Sequence, residues 1–228
     1  MENNNLANCL EVHLPIPEGK INPLGMSHRA FPIKDENIPI INLKEIAEGD
    51  RVDMIYRIID LLNVETCSRY QPTETLSYCN VYAHDFAYCL GAYIPRVWWD
   101  EESISKILSG EVIDIKYANT VFELNCNSLS NWFNNYGIYF NWVKVIDPYE
   151  TSKIISSGSF GVVIAKRKDL SKSGHISVII PHTGTTGSEK EKIIFQSQAG
   201  VVNKRRFTDI WWVDEKFSTV DFWVWKID

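Results

Sequence analysis

A change of period along the chain predicts an α+β fold with an antiparallel sheet. Before about residue 158, apolar residues recur at three- and four-residue spacing, which is typical of amphipathic helices. From Phe160 onward, β-branched and aromatic residues form short runs with a period of two, bounded by Gly, Ser and Thr clusters. Helices that precede strands, rather than alternating with them, indicate an α+β arrangement.

The first 42 residues differ from the rest of the chain in composition. They hold five of the nine prolines and show little periodicity. Because proline fixes φ and donates no hydrogen bond, residues 1–42 are predicted as an extended N-terminal arm on the surface. No repeat or low-complexity linker divides residues 43–228, which are predicted to form one domain.

Four helices are predicted from apolar stripes with recognisable ends. The first stripe is Val52, Ile55, Ile59 and Leu62, after Asp50 as N-cap. The second is Cys79, Tyr82, Ala83, Phe86 and Leu90, between Ser77 and Gly91, and the third is Leu129, Trp132, Phe133 and Tyr136, between Asn127 as N-cap and Gly137. The fourth helix is predicted from Asp147 and Pro148 to Gly158. Four strands are predicted over residues 160–166, 175–181, 192–199 and 220–227, with a turn at 184–188.

The charge balance and hydropathy exclude some partners. The formal net charge is −6, so no global positive field attracts nucleic acid or an anionic membrane surface. No window approaches 18 consecutive apolar residues, so no membrane span is expected. The first five residues lack the basic and apolar regions of a Sec signal peptide. If the protein acts outside the cell, these residues do not show how it is exported.

The five cysteines do not indicate a disulfide framework. They form no CxxC pair and leave at least one thiol unpaired. No spacing of His, Cys and Asp is typical of a metal site, so neither a metal nor another cofactor is expected. Cys67, Cys89 and Cys126 are interpreted as packing residues.

Cys79 is the candidate nucleophile because it opens the second predicted helix. The unpaired N–H groups and partial positive charge of a helix N-terminus lower the pKa of a thiol. The same N–H groups can hold an oxyanion, and Tyr78 is a further candidate donor to it. The alternative is a buried structural cysteine, which is the commoner case for a single cysteine.

His175 is the candidate base, at the start of a predicted strand. A thiol needs a base within hydrogen-bond distance, and a strand end holds an imidazole firmly. Gly174 leaves room there for a close backbone approach. On the next strand Gln196 and Gln198 share a face, and either could orient the imidazole as the third member of a triad. A core histidine and solvent-exposed glutamines are the alternatives.

Aromatic residues supply candidates for substrate binding. The chain has eight tryptophans, and the pairs 98–99 and 211–212 could form a groove that stacks on sugar rings. Trp98, Trp99 and Tyr78 are therefore predicted to bind substrate. Packing in the aromatic core is the alternative for most of the tryptophans. Asp85 lies six residues after Cys79, off the face of the thiol, and is expected to have a structural polar role.

Two segments resemble the motifs of a known group of enzymes. The run Ser77-Tyr78-Cys79-Asn80-Val81-Tyr82-Ala83-His84-Asp85, followed by Gly91-Ala92-Tyr93-Ile94-Pro95, resembles the nucleophile helix of papain-like bacterial cell-wall amidases, the NlpC-type endopeptidases and the CHAP amidases. Gly174-His175-Ile176-Ser177-Val178-Ile179 resembles their histidine strand. Residues 122–125 also resemble a segment found in some of them. The resemblance covers roughly residues 76–200.

The resemblance implies a papain-like fold, in which the nucleophile helix packs on an antiparallel sheet. It also implies a cysteine peptidase or amidase that cleaves an amide bond of peptidoglycan, with Cys79 as nucleophile and His175 as base. Gln198 fits the third position best and Gln196 second. Because a glutamine carries no charge, it would orient the imidazole rather than stabilise an imidazolium.

Alternatives to this function remain open from the sequence. A protease or acyltransferase acting on a protein needs the same nucleophile and base, and a non-catalytic wall- or partner-binding module needs neither. Delivery by a specialised secretion apparatus, with an immunity protein as partner, is one hypothesis for reaching the cell wall. A phage lysis enzyme is another.

Overall fold

The computed structural model describes residues 3–16, 29–182 and 193–227. Within these ranges the helices are α1 Asn3–Leu10, α2 Glu48–Leu62, α3 Cys79–Cys89, α4 Glu101–Leu108, α5 Cys126–Tyr136 and α6 Pro148–Ile155. The strands are β1 Val97–Trp99, β2 Val121–Glu123, β3 Trp142–Val145, β4 Gly161–Arg167, β5 His175–Ile179, β6 Gln196–Gln198, β7 Lys204–Phe207 and β8 Phe217–Trp225. Short 3-10 helices lie at Leu43–Glu45, Gly137–Phe140 and Trp211–Val213. The α+β class predicted from the sequence is confirmed.

One antiparallel sheet dominates the second half of the chain. Its strand order is β3-β8-β4-β5-β6-β7, and every neighbouring pair is antiparallel. β1 and β2 form a separate antiparallel pair. The β4–β5 register sets Ala165 opposite His175, and β5 pairs directly with β6. The candidate base and the two candidate glutamines therefore lie on adjacent strands.

The sheet is covered on both faces because its side chains alternate. Ile176 and Val178 face the larger core, which they share with residues of α2, α3 and α5. Val163 and Ile179 face a smaller core, closed by Ile155 of α6 and by the 3-10 helix Trp211–Val213. This packing places the N-terminal end of α3 near the beginning of β5.

Side-chain caps determine where three helices begin. Asp100 accepts a hydrogen bond from the Ser103 amide at 2.7 Å, Asn125 from the Ser128 amide at 3.0 Å and Asp147 from the Tyr149 amide at 3.0 Å. The helix start predicted at Asp147 and Pro148 is confirmed. The helix α4 that follows Asp100 was not predicted.

Two predicted N-caps are wrong. Asp50 lies inside the first turn of α2, whose N-cap is Ala47. Carboxylates are favoured throughout the first turn of a helix as well as at its cap, so an acidic residue alone does not locate the first residue. The N-cap of α5 is Asn125, two residues before the predicted Asn127.

The N-terminal segment differs from the expected extended surface arm. Asn3–Leu10 is helical, and Leu10, Val12 and Leu14 are buried in the larger core. Trp99 Nε1 donates a hydrogen bond to the Leu10 carbonyl at 3.0 Å. The prolines restrict only positions beyond residue 14, whereas the residues before them carry enough apolar surface to dock on the domain.

The four predicted strands correspond to β4, β5, β6 and β8, while β1, β2, β3 and β7 were not predicted. These four are three or four residues long, too short for a period of two to be evident. The turn predicted at 184–188 lies outside the described residues. Across the described ranges, no helix is long and apolar enough to cross a membrane.

Candidate active site

Cys79 is the first residue of α3. Tyr78 precedes it as a non-helical N-cap with φ −118° and ψ 36° and makes no side-chain cap bond. The first-turn N–H groups of a helix have no intrahelical backbone acceptor. The Val81 N–H donates to Asn80 Oδ1 at 3.0 Å, so those of Cys79 and Asn80 are the candidate donors beside the sulfur. Asn80 Nδ2 donates to the Leu124 carbonyl at 2.7 Å and holds the start of α3 against the segment before α5.

His175 is the first residue of β5, and the residue before it must be small. A Cβ at Gly174 would lie 2.1 Å from the carbonyl oxygen of Ala165 on β4. That distance is far inside van der Waals contact, so only glycine lets the two strands approach here. The Gly-His pair noted in the sequence therefore has a packing reason that is independent of any activity.

The imidazole of His175 is held from both sides. Its Nε2 lies 2.7 Å from Gln198 Oε1, and the ring also forms a hydrogen bond with Cys79. Ser177 Oγ donates to the same glutamine oxygen at 3.0 Å, and Gln198 Nε2 donates to the Val202 carbonyl at 3.3 Å. With Oε1 as acceptor, Nε2 carries the proton and Nδ1 is the nitrogen left for the thiol.

The pKa shifts of Cys79 and His175 both favour proton transfer from the thiol to the imidazole. A hydrogen bond from Cys126, followed by the charge of His175 and a hydrogen bond with it, holds the pKa of Cys79 well below its ordinary value despite burial. Burial opposes the imidazolium, but the charge of Cys79 and the hydrogen bonds with Cys79 and Gln198 outweigh it and raise the pKa of His175. The pair therefore favours thiolate and imidazolium.

Cys126 is part of this site, although the sequence suggested only a packing role. Its Sγ lies 3.3 Å from Cys79 Sγ. The hydrogen bond with Cys79, burial and the charge of Cys79 raise the pKa of Cys126 well above its ordinary value. It therefore stays a thiol and donates its S–H to the Cys79 sulfur. Its position as first residue of α5, beside the motif at 122–125, was the signal that could have identified it.

Asn127 ties α5 to the β4–β5 connection. Its Oδ1 accepts a hydrogen bond from the Arg167 amide at 3.0 Å, and its Nδ2 donates to the Lys172 carbonyl at 2.9 Å. This explains why Asn127 does not cap the helix, because both ends of its amide are used elsewhere. The side chain thereby fixes the approach of Cys126 to the strand that carries His175.

The two candidate glutamines have different partners. Gln196 is fully buried. Its Nε2 donates to the Asp209 carbonyl at 3.0 Å, and its Oε1 accepts from Trp211 Nε1 at 2.9 Å. The Trp211 ring in turn meets the His175 ring edge to face, with 4.5 Å between centroids. Gln198 thus contacts the imidazole directly, and Gln196 contacts a ring that packs on it.

Asn203 joins the loop after Gln198 to the connection between α2 and α3. Its Nδ2 donates to the carbonyls of Val64 and Tyr70 at 2.9 and 3.1 Å. Its Oδ1 accepts from the Gly200 amide at 3.0 Å. One side chain therefore links the strand that carries the third site residue to the helical half of the domain.

A cleft of about 1000 Å³ opens beside these residues. Cys79 is 3% exposed, whereas its chain neighbours Tyr78 and Asn80 line the cleft together with His175 and Gln198. Cys79 does not itself line the cleft, so a substrate there meets His175 and the chain neighbours of Cys79 before the sulfur. The role of Tyr78 as an oxyanion donor stays a prediction.

Trp98 and Trp99 do not line this cleft, which corrects the prediction that they bind substrate. Both are largely buried. The Trp98 ring packs against Trp132 and Tyr136, with centroids 5.7 and 5.1 Å away. An apolar strand that faces a core has the same residue types as an aromatic groove, so the sequence could not separate the two. The aromatic residue that does line the cleft beside His175 is Trp211.

The comparisons with known proteins assign no family. No protein-family model matches the chain, and no curated protein matches it. Among the residues that the structure describes, no three His, Cys, Asp or Glu side chains are grouped so that they could hold a metal ion. What the site can do is therefore argued from its own geometry and from the two motifs.

Proposed function

We propose that this protein is a papain-like cysteine amidase that cleaves an amide bond of bacterial peptidoglycan. The observation that carries the proposal is the imidazole of His175, which is hydrogen-bonded to Cys79 on one side and to Gln198 on the other. A lowered pKa at the sulfur and a raised pKa at the ring are the states that nucleophilic attack requires.

The first half of the proposed reaction is acylation. Cys79 Sγ attacks the carbonyl carbon of the scissile amide, and the carbonyl oxygen becomes an oxyanion. The N–H groups of Cys79 and Asn80, at the start of α3, are the candidate donors to that oxyanion. His175 then gives its proton to the amide nitrogen, which leaves as an amine while Cys79 keeps the acyl group.

The second half is hydrolysis of the thioester. His175, now neutral, removes a proton from a water molecule that attacks the acyl carbon. The acid is released, and the thiolate–imidazolium pair is restored. Throughout, Gln198 keeps Nε2 as donor and Nδ1 directed at the reacting atoms, so it acts as a positioning residue.

Peptidoglycan as substrate is supported by the resemblance of residues 76–200 to cell-wall amidases. The chemistry alone also suits a peptidase or an acyltransferase acting on a protein. An immunity protein remains a proposed partner if the enzyme is delivered as a toxin, and export by a specialised secretion system or a phage origin remains the proposed route.

Mass analysis of digested peptidoglycan tests the proposal. Purified peptidoglycan incubated with the wild type should release fragments that have gained one water at a single type of amide bond. Cys79→Ala should release none, and Cys67→Ala, which changes a half-buried cysteine that does not line the cleft, should match the wild type.

Two further results decide among the alternatives. An intact digest together with fast thiol labelling at Cys79 would reject peptidoglycan and leave the peptidase or acyltransferase. An intact digest with slow labelling at Cys79 would favour the non-catalytic module, because a packed thiol at its ordinary pKa reacts slowly.

A further inference from the structure

The cleft beside Cys79 has a charge opposite in sign to the whole chain. Among the described residues that line it are five cationic side chains and one carboxylate, namely Arg29, Arg96, Arg167, Lys172, Lys216 and Glu123. The formal net charge of the chain is −6. A positive cleft on an acidic protein concentrates anionic ligands at that place.

Two arginines that line the cleft, Arg29 and Arg96, are linked with Arg69 through backbone carbonyls. Arg96 Nε donates to the Arg29 carbonyl at 2.9 Å, and Arg29 Nε donates to the Arg69 carbonyl at 2.8 Å. Arg69 Nη2 donates to the Phe31 carbonyl at 2.8 Å. Arg96 thus holds the backbone of Arg29 and Arg29 holds that of Arg69, so Arg29 is held through both its backbone and its side chain.

The three guanidiniums differ in their counterions. Arg69 pairs with Asp85 at 2.5 Å, and Arg96 pairs with Glu123 at 2.6 Å. Within the described ranges, Arg29 has no carboxylate at ion-pair distance, and its side-chain bonds go to the carbonyls of Arg69 and Ser68. Arg29 is therefore a half-buried, oriented cation on the cleft wall whose charge no described side chain neutralises.

Arg29 also packs on the residue that precedes the nucleophile. Its guanidinium carbon is 3.8 Å from the centroid of the Tyr78 ring, and Tyr78 directly precedes Cys79. Stacking on an aromatic ring orients the plane of a guanidinium. Because Nε and Nη2 of Arg29 donate to the carbonyls of Arg69 and Ser68, Nη1 and the second Nη2 hydrogen are the donors left for a ligand among the described residues. A planar guanidinium matches a carboxylate in geometry better than it matches a neutral amide.

We propose that Arg29 binds a carboxylate of the substrate beside the amide that Cys79 attacks. The proposal rests on the proposed function, which places the scissile amide at the sulfur. It narrows the substrate class to peptides with a free carboxylate next to the cleaved bond, and it makes amidated forms of the same peptides poor substrates. It also makes the N-terminal segment part of the binding site.

Alkylation of Cys79 by two small reagents tests this without any turnover. Iodoacetate transfers a carboxymethyl group to the thiolate and iodoacetamide transfers a carbamidomethyl group, and each releases iodide. The two reagents differ only in that one carries a carboxylate and the other a neutral amide. The measured quantity is the ratio of their rate constants at Cys79, divided by the same ratio at the exposed Cys9 of the same chain. Mass analysis of the labelled peptides gives both values.

An imidazolium at His175 attracts iodoacetate in every variant, so the ratio in the wild type alone does not test Arg29. The decisive result is the change in the ratio when Arg29 is replaced. Arg29→Gln should lower the ratio roughly threefold, as expected for one ion pair near the surface. Arg29→Lys, which keeps the charge, should lower it less. Arg57→Gln removes an exposed charge from α2 and should leave it unchanged. A ratio in Arg29→Gln equal to that of the wild type would overturn the proposal.

A second measurement uses the unmodified chain, in case Arg29→Gln does not fold. N-acetyl-alanyl-glycine and its C-terminal amide differ only in one carboxylate, and each is tested for protection of Cys79 against iodoacetamide. Protection by the carboxylate form at lower concentration supports the proposal, and equal protection by the two forms contradicts it. Slow labelling of Cys79 by both reagents would instead contradict the proposed function, so the two failures are distinguishable.

Discussion

Two polar groups on the same helix, six residues apart, behave in opposite ways. Asp85, in the middle of α3, is fully buried and accepts hydrogen bonds from Arg69 Nε at 2.5 Å and the Tyr70 hydroxyl at 2.9 Å. Cys79, at the N-terminal end, meets His175, which lines the cleft. Both positions are buried and both perturb the pKa values around them.

The difference lies in where a proton can go. Burial, followed by the charge of Asp85, raises the pKa of Tyr70 well above its ordinary value, so the Asp85 cluster holds its protons in place. The lowered pKa of Cys79 and the raised pKa of His175 favour passage of a proton from the sulfur to the ring, and His175 lines a cleft. A perturbed pKa indicates chemistry where the partner is a base and the pair adjoins a cleft, and indicates structure where every polar atom is already paired.

The largest expected effect is the loss of activity when Cys79, at the N-terminal end of α3, is replaced. Cys79→Ala should lower turnover by at least about a thousandfold, because no other group supplies the nucleophile. The free energy of unfolding should change by only about 1 kcal/mol, since one sulfur atom is lost. Turnover and urea unfolding measured on the same preparations check this. Turnover close to that of the wild type would remove the distinction between the two clusters.

The largest expected effect on stability comes from the buried Asp85 cluster in the middle of α3. Asp85→Ala leaves the charge of Arg69 buried without its partner and should lower the free energy of unfolding by about 3–5 kcal/mol. Urea unfolding checks this, with the exposed Asp53→Ala on α2 as control. The folded fraction should keep its rate of Cys79 labelling. A selective loss of labelling in folded Asp85→Ala would show that the clusters are coupled.

His175→Ala should move the pH dependence of Cys79 labelling. In the wild type the lowered pKa keeps the thiolate populated as pH falls below the ordinary thiol value, so labelling stays fast in mild acid. Removing the imidazole removes a charge and a hydrogen bond that favour the thiolate. The pKa of Cys79 then rises, and the profile shifts toward alkaline pH. Identical profiles for iodoacetamide in the two proteins would mean that His175 is not the partner.

Cys126→Ala should also shift the labelling profile toward alkaline pH. It removes the S–H that donates to the Cys79 sulfur, and that hydrogen bond is the largest single cause of the lowered pKa of Cys79. The loss of one hydrogen bond to a charged acceptor corresponds to a shift of about 1–2 pH units. Cys89→Ala, which removes a buried thiol in the last turn of α3, is the matched control. A shift larger than that of His175→Ala would show that the second thiol dominates the site.

Gln198→Ala should have the smallest effect on labelling. The imidazole keeps its charge but loses the bond that orients it, so turnover should fall about tenfold while labelling changes little. Gln196→Ala should leave the labelling profile near that of the wild type, because its partners are Trp211 and the Asp209 carbonyl. Equal losses of turnover and labelling in Gln198→Ala would show a role beyond orientation.

The sequence predicted the parts of the site that depend on local pattern. The apolar stripe after Cys79 and the alternation after His175 follow from periodicity, and the helix and strand form where expected. The choice between Gln196 and Gln198 needed the structure, because both share a face and differ only in their distance from a ring on another strand.

Contacts between distant segments could not be predicted from one sequence. Cys126 is 47 positions from Cys79, and its place at the start of α5 does not by itself show that the two sulfurs meet. Arg29 lies in a segment whose prolines suggested only an exposed arm, and the partners of its side chain are 39 or more positions away. The same limit explains the wrong prediction for Trp98 and Trp99, whose burial depends on aromatic side chains of α5.

Asn203 has a consequence for any mutational scan of this protein. It joins the loop after Gln198 to the backbone before α3 through three hydrogen bonds. Its replacement would let the two halves of the site move apart although every reacting side chain is still present. A screen scored by survival alone would therefore rank Asn203 with Cys79 and His175. Only a separate measure of protein abundance would show that it belongs to the scaffold.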